Sequence, residues 1–211
     1  HGSAQAPWEQ TQYGRDNYGF YTRIRYNLMP YLTNLVDVAH QSGIPMMRPL
    51  FFYHPDDSHA WKANDSYYFG RDMLVAPYVH TGNVRDIYLP AGEWVDLWSN
   101  KIYDGGQTIM YRAPLNQIPV FVKKEAILPL ALNEELSLGG NFKHSNKNNL
   151  RLTFEIFAQT SRSYTYTEDK QSEFNLEYLT EDRSITLKTR GVQQDLGFII
   201  HCGMPDYITL S

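Results

Sequence analysis

The spacing of apolar residues changes along this chain, and each change predicts a different kind of element. Phe20, Ile24, Leu28, Tyr31, Leu35 and Val38 follow one another at intervals of 4, 4, 3, 4 and 3. That spacing places all of them on one face of a helix. Asn17 is positioned to cap its N-terminus, and Gly43, followed by Pro45, to end it. Pro30 falls inside the stripe, removes a backbone donor and crowds the preceding turn, so the helix is expected to kink or divide there. The stripe should bury Leu28, Tyr31 and Leu35 against the sheet that follows and leave neighbours such as Asn34 exposed.

Beyond Pro45 the pattern shortens to alternating or continuous apolar runs over residues 46–53, 73–78, 84–89, 93–97 and 120–128. Turn signals separate them: His54-Pro55-Asp56-Asp57, Thr81-Gly82-Asn83, Pro90-Ala91-Gly92 and Asp104-Gly105-Gly106. Short strands punctuated in this way predict an antiparallel β-sandwich, with one short helix over residues 58–64. Residues 133–149, NEELSLGGNFKHSNKNN, carry no apolar period and predict a linker or long loop. Five further strands are predicted over 150–157, 162–167, 174–179, 184–189 and 198–201, with no helical period among them.

Composition narrows the function classes. With 42% hydrophobic residues the 211-residue chain can bury a core. Its net charge is −4 and it has no Lys/Arg run to follow a phosphate backbone, so nucleic acid is not an expected partner. No stretch approaches the roughly 20 apolar residues of a membrane span, and the opening HGSAQAPWEQ lacks a basic-then-apolar leader. Cys202 is the single cysteine, which excludes an internal disulfide and a thiolate-clustered zinc site; a buried structural thiol is expected there. Sixteen Tyr and four Trp suit β-structure, and their ring faces also suit sugars.

Three stretches together resemble the family 31 glycoside hydrolases, which include α-glucosidases and α-xylosidases. The first is His1-Gly2-Ser3 with Pro7-Trp8. The second is Arg25-Tyr26-Asn27-Leu28-Met29-Pro30-Tyr31-Leu32, followed by Ala39-His40, Gly43-Ile44-Pro45 and Arg48-Pro49-Leu50. The third is Asp72-Met73-Leu74-Val75-Ala76-Pro77, with Tyr88-Leu89-Pro90-Ala91-Gly92-Glu93-Trp94 and Pro119-Val120-Phe121-Val122-Lys123 downstream. The resemblance covers residues 1–130; beyond 133 only the 164–169 run is similar. It implies a mainly β chain: a helical segment from the end of a (β/α)8 barrel over 1–44, a β-sandwich over 45–132 and a second small β-domain over 133–211. The implied parent is a retaining hydrolase of α-linked glucosides or xylosides, with an α-linked oligosaccharide as its partner and neither metal nor organic cofactor.

Retaining chemistry needs two carboxyl groups roughly 5 Å apart across the scissile bond. The family's two aspartates lie on barrel strands upstream of the position matching His1, so this chain is expected to hold no catalytic residue. Asp56, Asp57, Asp65, Asp72 and Asp96 read as turn or surface carboxylates. His1 matches a family residue that hydrogen-bonds the hydroxyls of the sugar to be cleaved, and it is the expected substrate contact; the other reading of His1-Gly2-Ser3 is a remnant of an expression tag. Arg48 is expected to pair with a carboxylate or helix carbonyls, and His40 to sit favourably at a helix C-terminus. Trp94 and Trp98, like Tyr164, Tyr166 and Tyr178, read as core before sugar platforms. Glu168-Asp169 lack calcium-loop spacing. A carbohydrate-binding module without catalysis is the alternative, since such modules are also aromatic-rich sandwiches.

Overall fold

The computed structural model describes residues 6–140, 150–157, 162–167, 173–179, 184–190, 196–201 and 207–210. Two helices come first, α1 (Gln12–Asn27) and α2 (Met29–Ser42). The chain enters α1 earlier than the stripe predicts. Thr11, not Asn17, is the cap, because its hydroxyl accepts the Gly14 N–H at 3.2 Å. Pro30 divides the helical stretch as expected, standing in the first turn of α2 where its missing N–H costs nothing. Gly43 ends α2 in the left-handed region at φ +72°, and its N–H donates to the Ala39 carbonyl at 2.9 Å.

The apolar stripe is buried along most of its length but not at its end. Ile24, Tyr31 and Leu35 are buried and Leu28 is half-buried beside Tyr31 and Leu35, but Val38, on the same face of α2 and nearer its C-terminus, is exposed. Asn34 is not an idle surface residue. Its amide donates to the Tyr164 hydroxyl at 3.1 Å and the Thr165 carbonyl at 3.3 Å, 130 residues further on.

A six-stranded antiparallel sheet forms the centre. It contains β1 (Met47–Pro49), β2 (Tyr67–Phe69), β3 (Met73–Val75), β5 (Glu93–Asp96), β6 (Ile102–Asp104) and β8 (Val120–Lys123), in the order β1-β2-β3-β8-β5-β6. The antiparallel pair of β4 (Val84–Leu89) and β7 (Gln107–Arg112), separated in the chain by β5 and β6, lies over one face. Side chains alternate across the sheet. Leu74, Trp94 and Phe121 join Ile87 and Leu89 of that pair in one core, while their neighbours Met73, Val95 and Val122 join Tyr31 and Leu35 in another. Covered on both faces, the central strands carry consecutive apolar residues: all of β3, Trp94-Val95 of β5 and Val120-Phe121-Val122 of β8.

Two of the expected runs are divided. Residues 46–53 give only β1, because Pro49 opens a 3-10 turn, Leu50–Phe52. Residues 120–128 form β8 and the start of β9 (Ile127–Leu132), with a tight turn between them in which the Ala126 N–H meets the Lys123 carbonyl at 2.9 Å. The short helix α3 (Ser58–Lys62) forms where expected.

β9 pairs antiparallel with β10 (Arg151–Ile156), which pairs in parallel with β14 (Leu196–Ile200). A four-stranded sheet follows, β11 (Arg162–Thr167), β12 (Glu173–Leu179), β13 (Ser184–Arg190) and β15 (Tyr207–Leu210). Residues 133–140 are a loop, but a docked one: Leu136 and Leu138 pack on the core beside β9. His1, residues 141–149, Glu168-Asp169 and Cys202 lie outside the described residues, as does the Tyr178 side chain.

Candidate functional site at the helix–sheet junction

The helices are locked to the sheet by side chains that satisfy backbone groups far along the chain. On α2, the buried Tyr31 donates its hydroxyl to the Phe69 carbonyl at 2.8 Å. The next residue, Gly70, sits at φ +73°, and a Cβ there would lie 2.1 Å from the Tyr31 hydroxyl oxygen. Only glycine allows this approach. Burial and the nearby Asp72 carboxylate push the Tyr31 phenol well above its ordinary pKa, and the same two causes raise Tyr164. Both phenols therefore stay protonated, Tyr31 donating to the Phe69 carbonyl and Tyr164 accepting from the Asn34 amide.

On α1 the anchors are polar. Asn27, 1% exposed, donates to the Ala131 carbonyl at 2.7 Å and accepts the Gly139 N–H at 2.8 Å. Arg23 Nε donates to the Gly139 carbonyl at 2.8 Å. Tyr21 bridges a loop, donating to the Asn116 carbonyl at 3.0 Å and accepting the Ile118 N–H at 2.7 Å. None of these anchors stands out in the sequence; an Asn inside a helix gives no sign of burial.

Beside β1 the surface opens into a groove of about 510 Å³. Phe51 and Trp61 stack in one wall, centroids 4.1 Å apart and nearly parallel at 6°. Trp61 is 57% exposed, and its indole N–H donates to the Pro55 carbonyl at 2.7 Å. Arg48, expected to meet a carboxylate or a helix end, is buried with its Nε on the Pro45 carbonyl at 2.6 Å and its guanidinium 5.3 Å from the Tyr53 ring centroid. Burial lowers its pKa, and Tyr31 and Asp72 oppose that shift.

The carboxylates read from sequence hold structural positions. Asp57 caps α3 through the His59 and Ala60 N–H groups; its bond from the Tyr88 hydroxyl, chiefly, holds its carboxyl below the usual range. Tyr88 itself is pushed up to about 12 by burial and by Asp57. Asp65 pairs with Arg85 at 2.7 Å. Asp96 is buried, accepting the Trp98 N–H at 2.8 Å and the Tyr111 hydroxyl at 2.6 Å. Asp56 is an exposed turn residue and His40 an exposed residue in the last turn of α2. Trp94 is buried with its N–H on the Pro90 carbonyl at 2.8 Å, and the Trp98 N–H meets the Ile118 carbonyl at 2.7 Å; both are structural. Among the described residues, no cluster of His, Cys, Asp and Glu could hold a metal ion, and no helix is long and apolar enough to cross a membrane.

Residues 43–128, from the cap of α2 into β9, match the family described as the glycosyl hydrolase family 31 C-terminal domain. An isomaltosyltransferase of Sporosarcina globispora is 34% identical over 171 residues, covering 78% of this chain and 16% of that protein. These residues belong to the C-terminal part of a family 31 glycoside hydrolase. Alpha-glucosidase 2 of Bacillus thermoamyloliquefaciens is 30% identical over 191 residues, 86% of this chain and 24% of that one. The chain thus spans a quarter or less of these two family members. Among solved family 31 structures, the Flavobacterium johnsoniae dextranase complexed with isomaltotriose superposes with a TM-score of 0.77 at 29% identity, over 95% of this chain and 27% of the dextranase. That match reaches well past residue 128, so the fold of the later strands is shared with it as well.

Proposed function

We propose that this chain braces the catalytic barrel of a longer retaining hydrolase of α-linked glucosides or xylosides and supplies neither catalytic carboxylate itself. The observation that carries the reading is the two-sidedness of the helices. Their inner face is fastened to the sheets through Asn27, Tyr31 and Leu35, while Tyr18, Tyr26, Met29 and Val36 are exposed. Exposed apolar residues on a well-anchored helix pair need a partner. In this reading the helices are the closing element of a (β/α)8 barrel, residues 45–132 form the sandwich beneath it and residues 133–211 a further β-region. His1, in its His-Gly … Pro-Trp run, contributes a hydrogen bond to the sugar held in that barrel.

The structural engagement of Asp57, Asp65 and Asp96 supports the absence of catalysis, since none is left as a nucleophile facing a second acid. The test is release of p-nitrophenol from α-glucoside and α-xyloside substrates by this chain at high concentration, beside a protein that also carries the barrel. Release by the barrel-containing protein alone is expected. Turnover by this chain that survives repurification and disappears on mutating one of its aspartates would overturn the proposal.

A further inference from the structure

The groove beside Trp61 plays no part in the bracing role, yet it is built for a ligand. One face of the indole rests on Phe51 and the other side of the ring system is open to solvent. The bond from the indole N–H to the Pro55 carbonyl fixes the ring before anything arrives, which lowers the ordering cost of binding. The α3 helix that carries Trp61 is itself held by the Asp57 cap. Met47 and Val79, both more than half exposed, extend the apolar floor. Asn64 stands at the edge and offers an amide, beside an Asp65 carboxylate whose charge is already matched by Arg85. A second hollow of about 280 Å³ shares Asp65 and Val79 and carries the groove on to His80 and Asp86.

The charge pattern selects the ligand class. Arg48, the cation that lines the groove, is buried with its Nε on the Pro45 carbonyl, and the donors of Arg85 in the adjoining hollow are taken by Asp65, Ser66 and the Pro77 carbonyl, so neither presents an open cationic site to an anion. An aromatic wall with an amide and a charge-matched ion pair at its rim fits a neutral polyol, whose C–H face stacks on the ring and whose hydroxyls reach the rim. We propose that this groove binds a segment of neutral α-linked glucan. The choice of α-linkage rests on the hydrolase reading above; the choice of a neutral sugar rests on the groove.

The test is titration of the chain with isomaltotriose and with maltotriose, following the tryptophan indole N–H resonances. Saturable shifts are expected for Trp61 and not for the buried Trp94. Trp61→Ala should weaken binding by about tenfold or more, the loss of roughly one stacking contact with its buried area. Trp8→Ala, at a tryptophan that is more exposed still and lies outside the groove, should bind as the parent does. Because the resonance shifts are read in the unaltered protein, the proposal stays testable even if Trp61→Ala fails to fold. No saturable shift at Trp61, or unchanged affinity in a folded Trp61→Ala, would overturn it. Equal binding of the β-linked cellotriose would overturn the α-linked assignment. None of these readouts needs catalysis, so they stand or fall apart from the hydrolase assay.

Discussion

α1 and α2 lie end to end on the same sheets, yet they are held by different forces. α2 buries Tyr31 and Leu35 in the core it shares with Val122, Leu128 and Leu130. α1 buries only Ile24 and Asn27 and is fastened by side chains that bond to the loop at residues 116–118, to Ala131 of β9 and to the loop at Gly139. An apolar anchor tolerates small shifts, because burial is non-directional. A hydrogen-bonded anchor does not, because a lost partner leaves a buried group unsatisfied. α1 is therefore the element whose position is specified and α2 the element that supplies the stability.

Three substitutions break or sharpen that contrast, each read by denaturant melts of the purified chain. Leu35→Ala should have the largest effect, a loss of about 2–4 kcal/mol from the missing apolar contacts and the cavity left behind. Asn27→Ala should cost about 2 kcal/mol although it removes a polar residue from a polar helix, because the Ala131 carbonyl and Gly139 N–H are both left unpaired. A neutral result there would mean that water replaces the amide and that α1 is not polar-anchored. Tyr21→Phe should cost about 1 kcal/mol or less, since its two loop partners are near the surface and water can reach them. If Tyr21→Phe proves more damaging than Leu35→Ala, the division of labour between the helices is reversed.

The sequence carries the apolar half of this design far better than the polar half. Tyr31 and Leu35 are legible because burial imposes a 3.6-residue period on α2. Val38 shares their face but lies nearer the C-terminal end of α2, and the period alone does not show where cover from the sheet stops. The strands covered on both faces, β3, β5 and β8, are legible as apolar runs. β2 is not, because three residues are too short a run to stand out even though Tyr68 and Phe69 reach the two cores, and β6 and β7 are not, because most of their positions are exposed. Asn27, Tyr21 and Asn34 bond to partners about 100 residues or more away in sequence, and no local pattern encodes such a pairing. The groove was equally hidden: Phe51 and Trp61 are ten positions apart and meet only because a Pro turn and α3 bring them face to face.

The ladder between β9 and β10 has a practical outcome for anyone who shortens this protein. Its six residue pairs run from Leu132 opposite Arg151 to Ile127 opposite Ile156, so the strands either side of residues 133–149 are zipped together. A polypeptide stopped after Leu132 would keep every residue of β9 and lose its hydrogen-bonding mate. What remains is a greasy edge whose backbone groups toward β10 are unpaired, interrupted only where Pro129 lacks an amide, and such edges recruit stray strands into aggregates. A nick between the two strands, by contrast, would leave halves that still recognise each other, and the pair could be recovered as a complemented whole.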